Sequence, residues 1–502
     1  MILKICVKIR SKEAFYGIGT VFGAAMPLTE QSEFSFDQRK EITQNQEASF
    51  LVSSFGSYIF SCEAFSVSVK DGTITVEGEK IEYKEGNSTL KEGYLEACNK
   101  FFKPNGKIPP SDFFKKPQYN TWVELIYDQT QAGVIKYAEG IINNGLPAGI
   151  IMIDDGWQRY YGSRDFKREF PNVEEMNRIL HDMGFKTMLW VCPFVSLDSE
   201  EFRYLDEKGL LLKDKNGASK IVKWWNGYSA VLDLTNPETE KYALEYLGSF
   251  TDRGFDGFKF DAGDPEFYMN SDNKGISPHG HCRLWSLLSE KFPYNELRSS
   301  YNTGGMTLVQ RLCDKPHRWD SVSRLVPDLL CQGIMGYFYG CPDMIGGGSF
   351  TDFLPGAPTL DPELFVRYAQ VASLMPMLQY SCAPWRVLDK EHAELCIEAG
   401  KLHERFADKI IALAKNASVT GEPIARYMEY EFPHNGYESV TDQFMLGKDI
   451  LVAPVCEKGV HTRKVILPNG NWKYIDGIIY RGSTTVTVNA PLSVLPYFEK
   501  VN

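Results

Sequence analysis

This 502-residue sequence predicts a (β/α)8 TIM barrel flanked by an N-terminal and a C-terminal β-sandwich. Three observations predict it. Strand-like apolar runs alternate with helical patterns through the middle of the chain, as parallel βα units do. Several of those runs end in carboxylates, which suits the end of a barrel where strand-borne acids face a cleft. The two ends of the chain lose the alternation and turn to short strands separated by Gly, Asn and Asp.

The first zone, residues 1–115, is rich in Ser, Thr, Gly and aromatics, and 49–53 and 73–77 read as strands. A Pro/Gly-rich stretch, KPNGKIPP at 103–110, closes it. In residues 116–412, 122–127 reads as a strand, 130–144 as a helix and 148–155 as the next strand. Asn172 caps a helix whose Val173, Met176, Ile179, Leu180 and Met183 recur at helical spacing, and Gly184 ends it. Strands follow at 186–193 and 230–234. Asn236-Pro237-Glu238 then starts a helix with proline at its first position, and 257–261 is the next strand. A doubly wound open sheet is the competing architecture, but no phosphate-binding GxGxxG stands at the first βα turn. Residues 413–502 return to β, with strands at 449–454, 463–468 and 484–488.

Composition narrows the function. A net charge of −11 and a pI near 5.4 argue against nucleic acid and anionic membrane as partners. No apolar run reaches the roughly 20 residues that span a bilayer, and the opening MILKICVKIR has no signal-peptide core. The eleven cysteines are scattered, several inside apolar runs (Cys6, Cys192, Cys331, Cys382), and read as buried free thiols of a reducing cytoplasm. There is no CxxC or HExxH and no close His/Cys cluster, so neither metal nor cofactor is expected. Acidic exposed surfaces leave room for a homo-oligomer.

The chemistry concentrates in three strings: GIIMIDDGW at 149–157, GFDGFKFDAGD at 254–264 and MGYFYGCPDM at 335–344. Each is an apolar strand ending in acid: Asp154 and Asp155, Asp261 and Asp264, and Asp343. Several acids delivered to one face suit a neutral polyhydroxyl substrate better than a phosphate. Glycoside cleavage needs two carboxyl groups across the scissile bond. Asp261 suits the nucleophile, because Lys259 lies two residues earlier on the same strand face and favours its ionised form. Asp314 and Asp320 are the candidates for the second carboxyl, and Asp320, just after Trp319 and ahead of an apolar run, is preferred. Trp190, Trp224 and Trp225 are candidate walls for a sugar; the last two are adjacent, so they cannot both face the core.

These strings, in this order, resemble glycoside hydrolase family 31 over about residues 49–502. SFLVSSFGSYIF is similar to the family's N-terminal approach to the active site. RWDSVSRL is similar to its acid/base segment, and DQFMLGKDILVAPV to its C-terminal sandwich. The resemblance implies a retaining exo-acting α-glycosidase with Asp261 as nucleophile and Asp320 as acid/base. It also implies Lys259, Arg311, Asp154 and Asp155 as sugar-binding groups. KFDAGD is closest to the branch that holds α-galactosidases and the myogenesis-regulating glycosidase, whose string ends in Glu where Asp264 stands here. The family's usual histidine falls near Ser381. An α-galactosidase acting on small oligosaccharides or α-galactosides is the expectation. An α-glucosidase or α-xylosidase, or a catalytically inactive sugar- or protein-binding barrel, are the alternatives.

Overall fold

In the computed structural model, which describes residues 2–86, 88–272 and 275–501, eight short strands build the barrel. They are β1 Gln118–Asn120, β2 Ile150–Ile153, β3 Lys186–Val191, β4 Gly257–Phe260, β5 Tyr294–Leu297, β6 Val309–Arg311, β7 Gly340–Cys341 and β8 Gln379–Tyr380. All neighbours pair in parallel, in the order β7-β6-β5-β4-β3-β2-β1-β8. Beyond the ends of that order, the Ile345 N–H donates to the Gln379 carbonyl at 2.9 Å and bridges β7 to β8.

Caps set the βα boundaries. Asn172 accepts the Glu175 N–H ahead of helix Val173–Asp182, and Asn236 accepts the Glu238 N–H ahead of Pro237–Thr251. The segment 122–127, expected as a strand, is instead mostly the helix Thr121–Leu125. Asn120 ends β1 and accepts the Trp122 N–H at 2.8 Å, so a cap outweighs the apolar alternation that follows it. The segment 230–234, expected as a barrel strand, is not one. Gly227–Val231 belongs to a three-stranded antiparallel excursion after β3, with Phe194–Ser196 and Ile221–Trp224. Trp224 pairs with Gly227, so Trp225 and Asn226 form a two-residue hairpin loop.

The N-terminal module is a pair of four-stranded sheets, and it also carries the helix Leu90–Phe101, closed at its start by a Thr89/Glu92 capping box. Its strand Glu47–Ser53 is buried along its whole length. At the C-terminal end the 31-residue helix Lys390–Thr420 runs across the expected boundary at 412 and stops at Gly421, whose φ of 79° is left-handed. A six-stranded sheet and a two-stranded one follow, around Met445, Leu451, Trp472 and Phe498. All eleven cysteines are free; seven are buried as expected, but Cys6 and Cys62 are exposed and Cys313 and Cys456 half-buried. Among the described residues no helix is long and apolar enough to cross a membrane.

The N-terminal module meets the barrel at a backbone-to-backbone contact. A Cβ built on Gly23 would stand 2.3 Å from the Pro327 carbonyl oxygen and 2.4 Å from the Asp328 nitrogen, inside the helix Trp319–Ile334. Neither atom can step aside. Gly23→Ala is therefore expected to destabilise the protein by about 1–3 kcal/mol, the range for overpacking, seen as a lower thermal midpoint. An unchanged midpoint would show that this contact is not close-packed.

Candidate active site

The strand ends converge on one pocket of about 720 Å³. Its lining includes Asp154, Asp155, Trp190, Lys259, Asp261, Arg298 and Asp314, with Gln44, Trp122, Tyr127, Trp225 and Phe350 among the residues nearer its walls and mouth. A second opening of about 710 Å³, bordered by Leu284, Leu288, Lys291 and Phe292, contains none of the strand-end acids.

Asp261, one residue past β4, is held through both carboxylate oxygens. Its Oδ1 accepts the Arg298 Nε–H at 2.9 Å and the Ala262 N–H at 2.8 Å; its Oδ2 accepts the Trp190 indole N–H at 3.0 Å. Burial alone would raise this carboxyl, but Arg298, Lys259 and Arg311 outweigh it and hold it well below the usual carboxylate range. Arg298 follows β5 directly. Its guanidinium also pairs with Asp264 through both oxygens, at 2.7 and 3.2 Å, and donates to the Gln44 carbonyl. Asp264, the shortened end of KFDAGD, thus reaches an arginine rather than the pocket.

Lys259 lies on the same strand as Asp261 but pairs with Asp154, 2.6 Å away and equally buried. Burial opposes its charge, yet Asp154, Asp261 and Glu296 keep it above the ordinary lysine value. Among the described residues Asp155 has no cation partner. Tyr161 O–H donates to its Oδ1 at 3.0 Å and Asn226 Nδ2 to its Oδ2. Burial, and then the adjacent Asp154, push its carboxyl up to about 7.

Arg311, expected as a sugar ligand, does not line the pocket. It is buried beneath it, 3.3 Å from Glu296 on β5 and 3.1 Å from Asp343, and holds Asp314 at 2.7 Å. Asp343, expected to face the cleft, is fully buried, its oxygens taken by the backbone N–H groups of Lys315, Met344 and Gly348. Asp314 has a side chain 41% exposed and stands on the pocket wall. Gly348 makes room for it: a Cβ there would lie 2.9 Å from the Asp314 Cγ and 2.7 Å from an Asp343 oxygen.

Asp320 lies outside the pocket. Its side chain is 62% exposed and pairs with Arg318, in the first turn of the helix Trp319–Ile334. An acid ahead of an apolar run here marks a helix start in solvent, not a cleft. Of the three tryptophans expected as walls, Trp190 and Trp225 line the pocket, and Trp122, not expected there, joins them. Trp224 is buried behind Trp190, stacked with ring centroids 6.4 Å apart and planes 9° from parallel. Ser381 is buried and accepts the Val123 N–H at 2.7 Å. Arg298 was missed altogether; its one signal is a basic residue directly after a short strand, NELR.

Comparison with known proteins agrees with this architecture. Residues 116–408 match the family model described as the glycosyl hydrolases family 31 TIM-barrel domain, and 421–502 match the family 31 C-terminal domain. The mouse (Mus musculus) myogenesis-regulating glycosidase is 31% identical over 413 residues, covering 79% of this chain and 57% of that protein. Alpha-xylosidase XylQ of Lactiplantibacillus pentosus is 25% identical, covering 87% and 60%. The chain thus spans about three-fifths of the length of these curated relatives. Among solved structures, a family 31 dextranase of Flavobacterium johnsoniae complexed with glucose superposes with a TM-score of 0.87 at 21% identity, over 99% of this chain and 66% of that one.

The unpaired Asp155 makes a pH prediction. Its folded value lies near 7 against about 3.9 unfolded, so the folded state binds the proton more tightly, and stability from this group falls as pH rises between those values. Asp155→Asn removes that loss. Relative to wild type, the variant is expected to gain about 2–3 kcal/mol between pH 5 and pH 8, read by denaturant unfolding at both. A constant difference would mean that Asp155 titrates normally.

Proposed function

The chain belongs to glycoside hydrolase family 31, and from that premise we propose that it is a retaining exo-acting α-glycosidase using Asp261 as nucleophile and Asp314 as general acid and base. The observation that carries this reading is one pocket holding both carboxyls in opposite settings. Asp261 is kept anionic by Arg298, Lys259 and two N–H donors, as an attacking group should be. Asp314 stands part-exposed on the wall, where a leaving oxygen and then a water could reach it. Asp320, in solvent beside Arg318, has no such access.

The steps follow from those positions. Asp261 attacks the anomeric carbon as the glycosidic C–O bond breaks, and the proton of Asp314 goes to the departing oxygen. A β-linked glycosyl ester remains on Asp261. Asp314, now a carboxylate, takes a proton from water as the water oxygen attacks the same carbon from the vacated face, and the ester bond breaks to free Asp261 and the α-anomer. Asp154, paired with Lys259, and Asp155 sit on the part of the pocket built by β2 and β4, suited to distal sugar hydroxyls. Trp190 and Trp225 offer it apolar faces.

For the sugar, galactose is the preferred reading. It rests on the KFDAGD string, which resembles that of the family branch holding α-galactosidases. The similarity to an α-xylosidase over most of the chain supports the second reading, xylose or glucose with the same mechanism. A panel of p-nitrophenyl α-galactoside, α-glucoside and α-xyloside separates them. Silence on all three, with sugar binding retained by calorimetry, would point to an inactive barrel.

On the best of these glycosides Asp261→Ala should lose at least about 10³-fold in turnover, the scale of a removed nucleophile, and recover in part with azide. Asp314→Ala should lose far more on an alkyl glycoside than on a p-nitrophenyl one, because a good leaving group needs little protonation. Asp320→Ala should stay near wild type; a loss there that tracks leaving-group ability would return the acid role to Asp320. EDTA should leave turnover unchanged.

A further inference from the structure

Strands β5 and β6 carry the two halves of this chemistry. Arg298, which orients Asp261, directly follows β5; Arg311, which holds Asp314, ends β6. The ladder between the strands stops one residue short of both, at the pair Leu297 and Gln310. Past that point the carbonyls of Arg298 and Arg311 have no bond across the gap from each other's strand. Two carboxamides fill it. Asn45 Nδ2 donates to the Arg298 carbonyl at 2.7 Å and to the Arg311 carbonyl at 3.1 Å. Gln46 Nε2 donates to the same two carbonyls at 2.7 and 2.9 Å.

Each NH2 group has two hydrogens and each carbonyl oxygen two lone pairs, so the four bonds form a closed set. Both amides are buried, 2% and 0% exposed. Their oxygens are engaged too. Asn45 Oδ1 accepts the Cys313 N–H at 3.2 Å, next to Asp314, and Gln46 Oε1 accepts from Gln332 at 2.9 Å and Thr20 at 3.2 Å. The preceding residue, Gln44, gives its carbonyl to Arg298. The two amides and the Gln44 carbonyl do not come from the barrel: 44–46 lead into the strand Glu47–Ser53 of the N-terminal module.

We propose that Asn45 and Gln46 are positioning residues, a paired-amide staple that fixes the spacing between the Arg298–Asp261 half of the site and the Arg311–Asp314 half. The inference rests on the assignment of Asp261 and Asp314 proposed above. In a retaining site that spacing is set narrowly, because one carboxyl must reach the anomeric carbon while the other reaches the leaving oxygen. A misplacement of about 1 Å can lower the rate about 100-fold. The staple acts on catalysis through backbone it holds, without touching the sugar.

The test is steady-state kinetics of Asn45→Leu, Gln46→Met and the double variant, each with its thermal midpoint, on p-nitrophenyl and alkyl versions of the preferred glycoside. These replacements keep approximate size and remove the donors. In each single variant one amide still reaches both carbonyls. The expected result is a kcat about 10-fold lower in each single variant and about 100-fold lower in the double, the scale of a small misplacement. KM should change little, and the loss should be larger on the alkyl glycoside. If these variants fail to fold, Asn45→Asp and Gln46→Glu, matched in shape with at most one donor, enter the same assay with the same expectation. Unchanged kcat and leaving-group dependence in folded variants, whatever the midpoint, would overturn the staple and leave the amides a purely structural role. A wild type silent on every glycoside would instead overturn the proposed function, and the staple with it.

Discussion

A carboxylate withdrawn from water without a partner costs several kcal/mol, and one end of this barrel gathers seven acids: Asp154, Asp155, Asp261, Asp264, Glu296, Asp314 and Asp343. Three cations answer all of them but Asp155. Lys259 takes Asp154, Arg298 spans Asp261 and Asp264, and Arg311 is shared by Glu296, Asp314 and Asp343. Nearly every other detail of the site follows from this balance. Lys259 and Asp154 are spent on each other, which fixes one side of the pocket. The two arginines differ in depth: Arg298 reaches the pocket surface, whereas Arg311 stays under it and only presents Asp314.

The same balance separates the acids by role. Asp261 lies where several positive charges add, so it stays ionised despite burial. Asp155 lies at the margin of the network, held by the Tyr161 phenol, the Asn226 amide and the Gly156 backbone N–H, so burial dominates and pushes its carboxyl up to about 7. Asp154 and Asp155, adjacent at one strand end, thereby differ in setting: Asp154 meets Lys259, whereas Asp155 meets the Tyr161 hydroxyl and the Asn226 amide.

The barrel was legible because its strands are apolar and its helices capped, and Asp261 because an acid ending a buried strand has few places to go. Where the geometry departs from that reading, the causes are local. Asp320 was favoured over Asp314 because a tryptophan and an apolar run flank it, yet those residues belong to a helix whose first turn faces solvent. Asp314 follows a strand of only three residues, too short to leave a periodic signal. Arg298 follows a strand with polar residues on both faces, Glu296 turned inward to Arg311 and Gln379 and Asn295 turned outward to the Phe292 and Thr307 carbonyls, so polarity hid the strand and with it the arginine. Trp224 and Trp225 were correctly expected to differ in surroundings; the reason is a hairpin loop, in which one residue ends a strand and the next is its tip.

The amides of Asn45 and Gln46 bond to carbonyls 252 to 266 residues further along the chain. During synthesis they leave the ribosome long before β5 and β6 exist. At roughly 5–20 residues per second the delay is on the order of tens of seconds. Through that interval the N-terminal module can build its own sheets, but the donors just ahead of Glu47 have no acceptors, and the barrel strands made meanwhile have no staple. Closure of the site is therefore a late event in the birth of the chain, reached only after β6 has emerged and turned back onto a module finished earlier. Cutting the gene between sandwich and barrel would leave the carbonyls of Arg298 and Arg311, at the ends of two adjacent strands, without the amides that bond them both.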